Sequence, residues 1–266
     1  MNNASILLTN DDGIDSPGIR AAAQALFPLG KLVVAAPRTQ QTSMGRAYTG
    51  PKDARFVPVS IEVEGTPVTA YACDASPAAV VRHAALVLPA FAPSLVVAGI
   101  NYGENIGSGV TGSGTVGAAL DAAGRGIAAL AVSLETDIAS HRSYTEQDWS
   151  AAIHFTRLFA SAILQSGLPN GVDILKVEVP AGATEKTPWR MTRLSPTSYY
   201  QRRIENPTIE SCLGDIVVSK SICLGEPANT DAYAIQTSKV VAVTPLSLDL
   251  TARVPLDIVG AWFRNI

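Results

Sequence analysis

Residues 5–19 read SILLTNDDGIDSPGI, and this stretch decides the fold. The apolar run 5–9 is typical of a strand that is buried on both faces. Ser16 and Pro17 suit the N-cap and the first turn of a helix. A buried strand followed at once by a helix indicates the first unit of a parallel α/β sheet. Between them stand Asp11 and Asp12, which by themselves could be an ordinary charged turn, since Asp-Gly is a strong turn signal.

The composition limits the class of protein. Of the 266 residues, 47% are hydrophobic and 16% charged, which predicts a large core and excludes global disorder. A net charge of −3 gives no reason to expect a nucleic acid duplex as partner. Without a basic leader or a long apolar run, we expect a cytoplasmic protein with no membrane partner. Cys73, Cys212 and Cys223 lack metal-ligand spacing, so we expect reduced and mostly buried thiols.

Strand-like and helix-like segments alternate over the first two thirds of the chain. This rhythm predicts a Rossmann-like α/β fold with a doubly wound, mainly parallel sheet. After Pro180 the sequence becomes polar and rich in turns, which indicates a C-terminal β-hairpin extension over about 181–225. We therefore expect a single domain, 1–266, whose core comprises about 1–180 plus 226–266.

In a doubly wound sheet, ligands bind beyond the carboxyl ends of the strands. This rule places three loops on one rim: Asn10 to Gly13, the loop around Ser43, and the loop that begins at Asn101. Two carboxylates at such a rim repel each other less when they share a cation. Oxygen ligands indicate Mg²⁺ or Mn²⁺, with Ca²⁺ as a further candidate. The side chains of Ser43 and Asn101 are candidates to complete its coordination.

The third loop is rich in glycine, hydroxyl and amide side chains and opens into a helix near Thr115. Exposed amides at a helix N-terminus bind anions without much basic charge. Its candidate residues are Asn101, Asn105, Gly107, Ser108, Gly109, Gly112, Ser113, Gly114 and Thr115. A divalent ion beside a phosphate cradle indicates hydrolysis of a phosphate ester. The histidines suggest no competing mechanism, because we expect His83, His141 and His154 to lie away from these loops.

Two alternatives remain open at this point. Residues 112–117 form a literal GxGxxG, and Glu135 ends the next strand, which would suit an NAD(P)-dependent oxidoreductase. A long polar loop separates this motif from its strand, however, and that chemistry has no use for Asp11 and Asp12. The second alternative is a non-catalytic phosphate- or nucleotide-binding protein that keeps the pocket without turnover.

Taken together, several segments resemble the SurE family, the survival-protein 5'/3'-nucleotidases. The resemblance covers most of the chain, and the ordered set is more specific than any one motif. Its segments are ILLTNDDGIDSPGI, VVAAPRTQQTSMG, LVVAGINYGENIG and SGTVGAAL, with a weaker match in NTDAYAIQTSKVVAVTPLSLDLT.

The resemblance implies a metal-dependent phosphomonoesterase of nucleoside 5'/3'-monophosphates, with polyphosphate as a further substrate of some members. It implies one divalent ion per subunit and a homodimer or homotetramer in which the extension is exchanged between subunits. The implied metal ligands are Asp11, Asp12, Ser43 and Asn101. The implied phosphate-side residues are Asn10, Asn105, Ser113, Gly114 and Thr115, and the catalytic set is Asp11, Asp12 and Asn10.

The sequence departs from the family pattern beside the predicted pocket. Gly112 stands where the family usually has a tyrosine, which removes an aromatic ring from the edge of the pocket. None of the departures touches a predicted metal ligand, so they bear on substrate preference.

Overall fold

The computed structural model describes residues 4–88, 91–141 and 143–264, and it confirms the Rossmann-like α/β fold. The strands in these ranges are β1 Ser5–Thr9, β2 Lys31–Pro37, β3 Val57–Val63, β4 Thr66–Cys73, β5 Leu95–Tyr102, β6 Ala128–Leu134, β7 Ile174–Val179, β8 Trp189–Met191, β9 Tyr200–Arg203, β10 Val217–Lys220 and β11 Val241–Leu246. The helices are α1 Pro17–Leu26, α2 Pro77–Val87, α3 Gly114–Ala123, α4 Ser150–Ser166, α5 Asp231–Tyr233 and α6 Leu256–Arg264.

One large sheet organises the described residues, in the strand order β3-β4-β2-β1-β5-β6-β7-β11-β8. Strand β1 lies inside it and pairs in parallel with both β2 and β5. From β1 the chain builds outward through β2 on one side and then reverses to β5 on the other. The carboxyl ends of β1 and β5 therefore flank the point where the strand order reverses, which is where open α/β sheets bind ligands.

Both faces of β1 are buried, as its continuous apolar run predicts. Ile6 and Leu8 belong to the core that packs on α1 and α4, whereas Leu7 faces the core under α2 and α3. Helix α1 approaches the sheet closely at Gly18, where a Cβ atom would lie 2.0 Å from the carbonyl oxygen of Ile100. The Ser16 side chain accepts a hydrogen bond from the amide of Ile19 and so caps α1, as predicted.

The C-terminal third contains a separate two-stranded antiparallel sheet formed by β9 and β10. Strand β8 also lies in the stretch 181–225, but it pairs in parallel with β11 at the edge of the large sheet. The separate hairpin is therefore shorter than the stretch that the sequence suggested. Exchange of this hairpin between subunits stays a prediction.

The cysteines depart in part from the expectation of mostly buried thiols. Cys73 is buried at the end of β4, but Cys212 and Cys223 are exposed, so that expectation is wrong for two of the three. The physical reason is their location, since both belong to the hairpin region, where few side chains are buried. Across the described ranges, no helix is long and apolar enough to cross a membrane.

Phe155 tests the core that supports the sheet. It is buried on α4 and stacks on Phe159 with ring centroids 6.4 Å apart. We expect Phe155→Ala to lower the free energy of unfolding by about 3–5 kcal/mol, because it leaves a cavity under the sheet. Leu158 lies on the same helix and is 41% exposed, so Leu158→Ala should cost less than about 1 kcal/mol. Denaturant unfolding measures both, and equal losses would contradict this packing.

Candidate active site

Asp11 and Asp12 lie just beyond the carboxyl end of β1, and their exposed fractions are only 6% and 5%. The backbone amide of Tyr102, the last residue of β5, donates a 2.8 Å hydrogen bond to Asp12 Oδ2. This contact crosses the point where the strand order reverses. The adjacent carboxylates therefore stand at the position where the fold is expected to bind ligands.

The N-terminus of α3 faces the carboxylate of Asp11. The Thr115 hydroxyl donates to Asp11 Oδ1, and the nearby backbone amides of Gly114 and Thr115 act to lower the pKa of the same carboxyl. Ser113 caps the helix by accepting a 3.1 Å hydrogen bond from the amide of Val116. A Cβ atom on Gly114 would lie 2.7 Å from the Cβ of Asp11, so only glycine lets the carboxylate approach the helix this closely. The structure thus brings Ser113, Gly114 and Thr115 to the carboxylate pair.

Asn10 shapes the turn that presents the two aspartates. It is fully buried, and its Nδ2 donates to the Gly13 carbonyl at 3.0 Å and to Ser16 Oγ at 2.7 Å. Its Oδ1 accepts from the amide of Gly13 at 3.2 Å. The whole amide group is therefore engaged within the loop, which gives Asn10 a positioning role; a direct contact with phosphate stays a prediction.

The loop that carries Ser43 is attached on both sides of that residue. The amide of Gln41 donates to the carbonyl of Asp11 at 2.6 Å, and the amide of Gly45 donates to the carbonyl of Gly112 at 3.0 Å. Ser43 is exposed between these attachments and has a φ of 64°. The loop therefore bridges Asp11 and the approach to α3 with the Ser43 side chain in solvent.

The two asparagines of the third loop have different surroundings. Asn101 is half-buried within β5, directly before Tyr102, and its Nδ2 donates to the carbonyl of Gly103 at 2.5 Å. The Asn105 side chain instead donates to Ser133 Oγ at 3.0 Å, toward β6. Asn101 thus precedes the residue whose amide binds Asp12, with its own amide group engaged by Gly103, whereas the amide of Asn105 is directed toward a neighbouring strand. A metal-ligand role of Asn101 stays a prediction.

Sequence reasoning missed two side chains that contact Asp12. Gln40 Nε2 donates to Asp12 Oδ1 at 3.3 Å and to the carbonyl of His141 at 3.0 Å. The Tyr144 hydroxyl donates to the backbone carbonyl of Asp12 at 2.7 Å. Gln40 belongs to the loop around Ser43, which the strand-end rule already places on the rim. Its polar side chain in that loop could therefore have marked it as a candidate. No signal in the sequence singles out Tyr144.

The expectation that the histidines lie away from the motif loops is wrong for His141. Its ring packs against Gly103, where a Cβ atom would come within 2.7 Å of Nε2. The physical reason is that His141 and Tyr144 both lie against the rim, a placement that sequence spacing does not reveal. His83 and His154 lie on α2 and α4, as predicted.

Burial and mutual repulsion dominate the electrostatics of this carboxylate pair. Burial raises the pKa of Asp11 to about 6, and burial together with the nearby charge of Asp11 raises the pKa of Asp12 to about 8. Hydrogen bonds from neutral groups offset only part of this effect. Within the described ranges, no lysine or arginine forms an ion pair with either carboxylate. The pair therefore lacks a protein cation that would compensate its charge.

The available donor atoms suit a hard divalent cation. In the part of the chain that the structure describes, no group of three or more His, Cys, Asp or Glu side chains could hold a metal ion. A metal at this rim would rest on two carboxylates and on neutral oxygens from side chains and water. Such a donor set fits Mg²⁺, Mn²⁺ or Ca²⁺ better than zinc, which prefers nitrogen and sulfur.

The glycine-rich turn does not favour a dinucleotide. Gly114 packs against Asp11, and a Cβ atom on Gly117 would lie 1.9 Å from the carbonyl oxygen of Gly45. Glu135 is also engaged, because it accepts hydrogen bonds from the amide of Ala181 at 3.0 Å and from Gln236 at 2.7 Å. The glycines thus allow contacts within the protein, and Glu135 already has protein partners.

Comparison with known proteins identifies the family. The sequence model of the family described as "Survival protein SurE" matches residues 6–201. The chain belongs to the SurE family. The "5'-nucleotidase SurE" of Thermococcus gammatolerans is 41% identical over 95% of this chain and 93% of its own length. The protein of the same name from Archaeoglobus fulgidus is 38% identical over 98% of both chains. The crystal structure of the SurE protein from Aquifex aeolicus superposes with a TM-score of 0.73, at 26% identity, covering 96% of this chain and 97% of that one.

Gly114→Ala tests the contact between α3 and Asp11. The added methyl group must displace the Asp11 carboxylate, so we expect Mn²⁺ affinity to fall by about 10–100-fold, the effect typical of changes behind a metal ligand. Gly112→Ala is the matched control, because a Cβ atom there meets no atom within 4 Å. Calorimetric titration of Mn²⁺ measures both variants. Equal affinities would contradict the ligand role of Asp11.

The raised pKa values predict how stability depends on pH. The unfolded chain ionises both aspartates near pH 4, whereas the folded, metal-free protein retains protons up to about pH 6 and pH 8. The unfolded state therefore binds fewer protons across this range, and stability falls as the pH rises. In the presence of EDTA, we expect the thermal midpoint to decrease from about pH 5 to pH 8. Asp12→Asn should flatten this dependence, and an equally steep profile would contradict the assignment.

Proposed function

We propose that this chain is a divalent-metal-dependent phosphomonoesterase that hydrolyses nucleoside 5'-monophosphates. The observation that carries the proposal is the pair of buried carboxylates, Asp11 and Asp12, beside the N-terminus of α3. This arrangement offers a place for a cation next to a place for an anion. The names of the archaeal relatives favour a nucleotide as the source of the phosphate.

Four residues would hold the metal: Asp11, Asp12, Ser43 and Asn101. A divalent ion there supplies charge neutralisation for the phosphoryl group and makes water more acidic. Asp11 is held by the hydroxyl of Thr115 at the start of α3, while Asp12 is held by the amide of Tyr102 and by Gln40. These hydrogen bonds fix the two carboxylates before any substrate arrives.

The amides and hydroxyls of Ser113, Gly114 and Thr115 would orient the phosphoryl oxygens, together with Asn105. In the reaction, the oxygen of a water molecule bonds to phosphorus while the bond from phosphorus to the ribose oxygen breaks. The leaving oxygen takes up a proton, for which Asp12 and a second water are the candidates. Asn10 contributes by holding the turn that presents Asp11 and Asp12.

Gly112 leaves open space beside the proposed site. Gly112 is exposed, and a side chain there would meet no atom within 4 Å. The space in which the family usually places a tyrosine ring is therefore open. We include nucleoside 3'-monophosphates and polyphosphate in the proposal because the resemblance to the SurE family implies them, and the open space at Gly112 bears on which base is recognised.

The proposal includes a homodimer or homotetramer. Large apolar side chains are exposed on the hairpin region and on α6, and they include Ile209, Leu213, Leu224, Trp262 and Phe263. Exposed apolar surface of this kind is typical of protein interfaces. Exchange of the hairpin between subunits would cover part of it.

Phosphate release from nucleoside 5'- and 3'-monophosphates and from polyphosphate tests the function. We expect EDTA to abolish activity and Mg²⁺ or Mn²⁺ to restore it. Activity that resists EDTA would contradict the proposal. Ligand-induced stabilisation without phosphate release would instead support a non-catalytic binding protein.

Asp12→Asn tests the assignment of the site. We expect kcat to fall by at least ~10²-fold, the scale seen when a principal charge-stabilising group is lost. Asp15→Asn is the matched control, because Asp15 is an exposed acid in the same loop and should keep kcat within about 2-fold. Circular dichroism checks that both variants fold. If Asp12→Asn turns over substrate as fast as the parent, the assignment of Asp12 to the active site is wrong.

A further inference from the structure

A second group of buried charges lies behind the third loop. Lys176 and Glu178 are alternate residues of β7, and Asp231 begins α5; the side chains of all three are 0% exposed. Lys176 Nζ lies 3.2 Å from Glu178 Oε1 and 3.1 Å from Asp231 Oδ2. Unlike Asp11 and Asp12, these two carboxylates share a protein cation.

These charges bind the backbone of residues 105–107. Lys176 Nζ donates to the carbonyl of Asn105 at 2.7 Å, and Glu178 Oε2 accepts from the amide of Asn105 at 2.8 Å. Asp231 Oδ2 accepts from the amide of Gly107 at 3.1 Å. Both backbone groups of Asn105 and the amide of Gly107 are therefore held by charged side chains.

The remaining hydrogen bonds complete the cluster. The Lys176 ammonium has three N–H donors, and they donate to Glu178, to Asp231 and to the carbonyl of Asn105. Ser133 Oγ donates to Glu178 Oε1 at 3.3 Å and accepts from Asn105 Nδ2 at 3.0 Å. Asp231 Oδ1 accepts from the amides of Ser195 and Ala232 at 2.8 and 2.9 Å. The cluster is thus fully hydrogen-bonded and connects three separate parts of the chain.

A buried ion pair seldom increases the free energy of unfolding more than apolar side chains would. Well-packed apolar side chains of similar volume often stabilise a protein as well or better, because charges lose their hydration when they are buried. Here the charges instead satisfy backbone groups of a loop that leaves β5 and reaches α3 with little regular pairing of its own. The same loop joins Asn101 to Ser113, and so connects the metal side of the candidate site with its phosphate side.

We propose that Lys176, Glu178 and Asp231 are positioning residues, a clamp that sets the path of residues 105–107 and thereby the geometry of the phosphate-binding side. This inference rests on the proposed function. The clamp touches neither the metal nor the substrate. It acts through Asn105 and Gly107, whose positions determine how the loop approaches Ser113 and α3.

The double variant Lys176→Met/Glu178→Gln tests the clamp. It removes one positive and one negative charge together, so Asp231 keeps its three backbone donors and no new net charge is buried. We expect kcat for a nucleoside 5'-monophosphate to fall at least ~10-fold, since small displacements of positioning groups cost up to ~10²-fold. Mn²⁺ affinity should stay within about 3-fold, because the proposed metal ligands are unchanged and the clamp does not contact them.

Thr244→Val is the matched control. Thr244 pairs directly with Lys176 across β11 and β7, is buried, and hydrogen-bonds to Thr192 at 2.8 Å. The substitution therefore disturbs the same part of the sheet without touching residues 105–107. We expect it to lower the thermal midpoint while leaving kcat within about 2-fold of the parent.

Hydrogen exchange of the amides of Asn105 and Gly107 provides a readout without activity. In the parent and in Thr244→Val these amides should be protected, and in the double variant they should exchange at least ~10-fold faster. Two results would overturn the clamp. In the first, Thr244→Val loses amide protection and kcat as much as the double variant does; in the second, the double variant retains parent-like protection and kcat. Should the double variant not fold, Glu178→Gln alone is used, which leaves Lys176 paired with Asp231.

The two proposals fail separately. A parent that releases no phosphate with any metal contradicts the proposed function. In that case the hydrogen-exchange rates of the Asn105 and Gly107 amides still test the clamp, because that measurement does not depend on catalysis.

Discussion

Two carboxylates side by side, out of water and without a protein cation beside them in the described ranges, are the constraint on which the site depends. β1 is buried between two parallel strands, so the residues that follow it emerge where the strand order reverses. Every contact made to Asp11 and Asp12 comes from a neutral group: a strand amide, a helix terminus, a glutamine. Neutral donors hold the carboxylates in place and leave their charge available to a ligand.

The buried charges behind the loop show the opposite arrangement. Lys176 lies between Glu178 and Asp231, so one protein cation is shared by the two carboxylates. The described residues thus contain one acidic pair without a protein cation and one that shares an internal cation. The compensated group holds backbone, and the uncompensated group faces the place where ligands are expected. This contrast in charge compensation, rather than burial alone, distinguishes a structural cluster from a candidate site.

Short-range patterns in the sequence are enough to predict the fold and to identify most of the loops that form the rim. The apolar run 5–9 and the Ser16-Pro17 helix start predicted β1 and α1, and the strand-end rule placed the carboxylate pair. The contacts of Tyr144 and His141 depend on how a distant segment lies against the rim, and no local pattern encodes that path. The pairing of β8 with β11 was missed for a similar reason, because three residues carry too little periodicity.

Asp231 lies thirty residues beyond the point where the family match ends, at residue 201. A chain shortened to the matched segment would retain both aspartates and the start of α3 but would release the amide of Gly107. The segment that the family model matches is therefore smaller than the part of the chain that supports the site. Grafting or trimming this domain at the boundaries of the family model would separate the rim from Asp231, which binds the amide of Gly107.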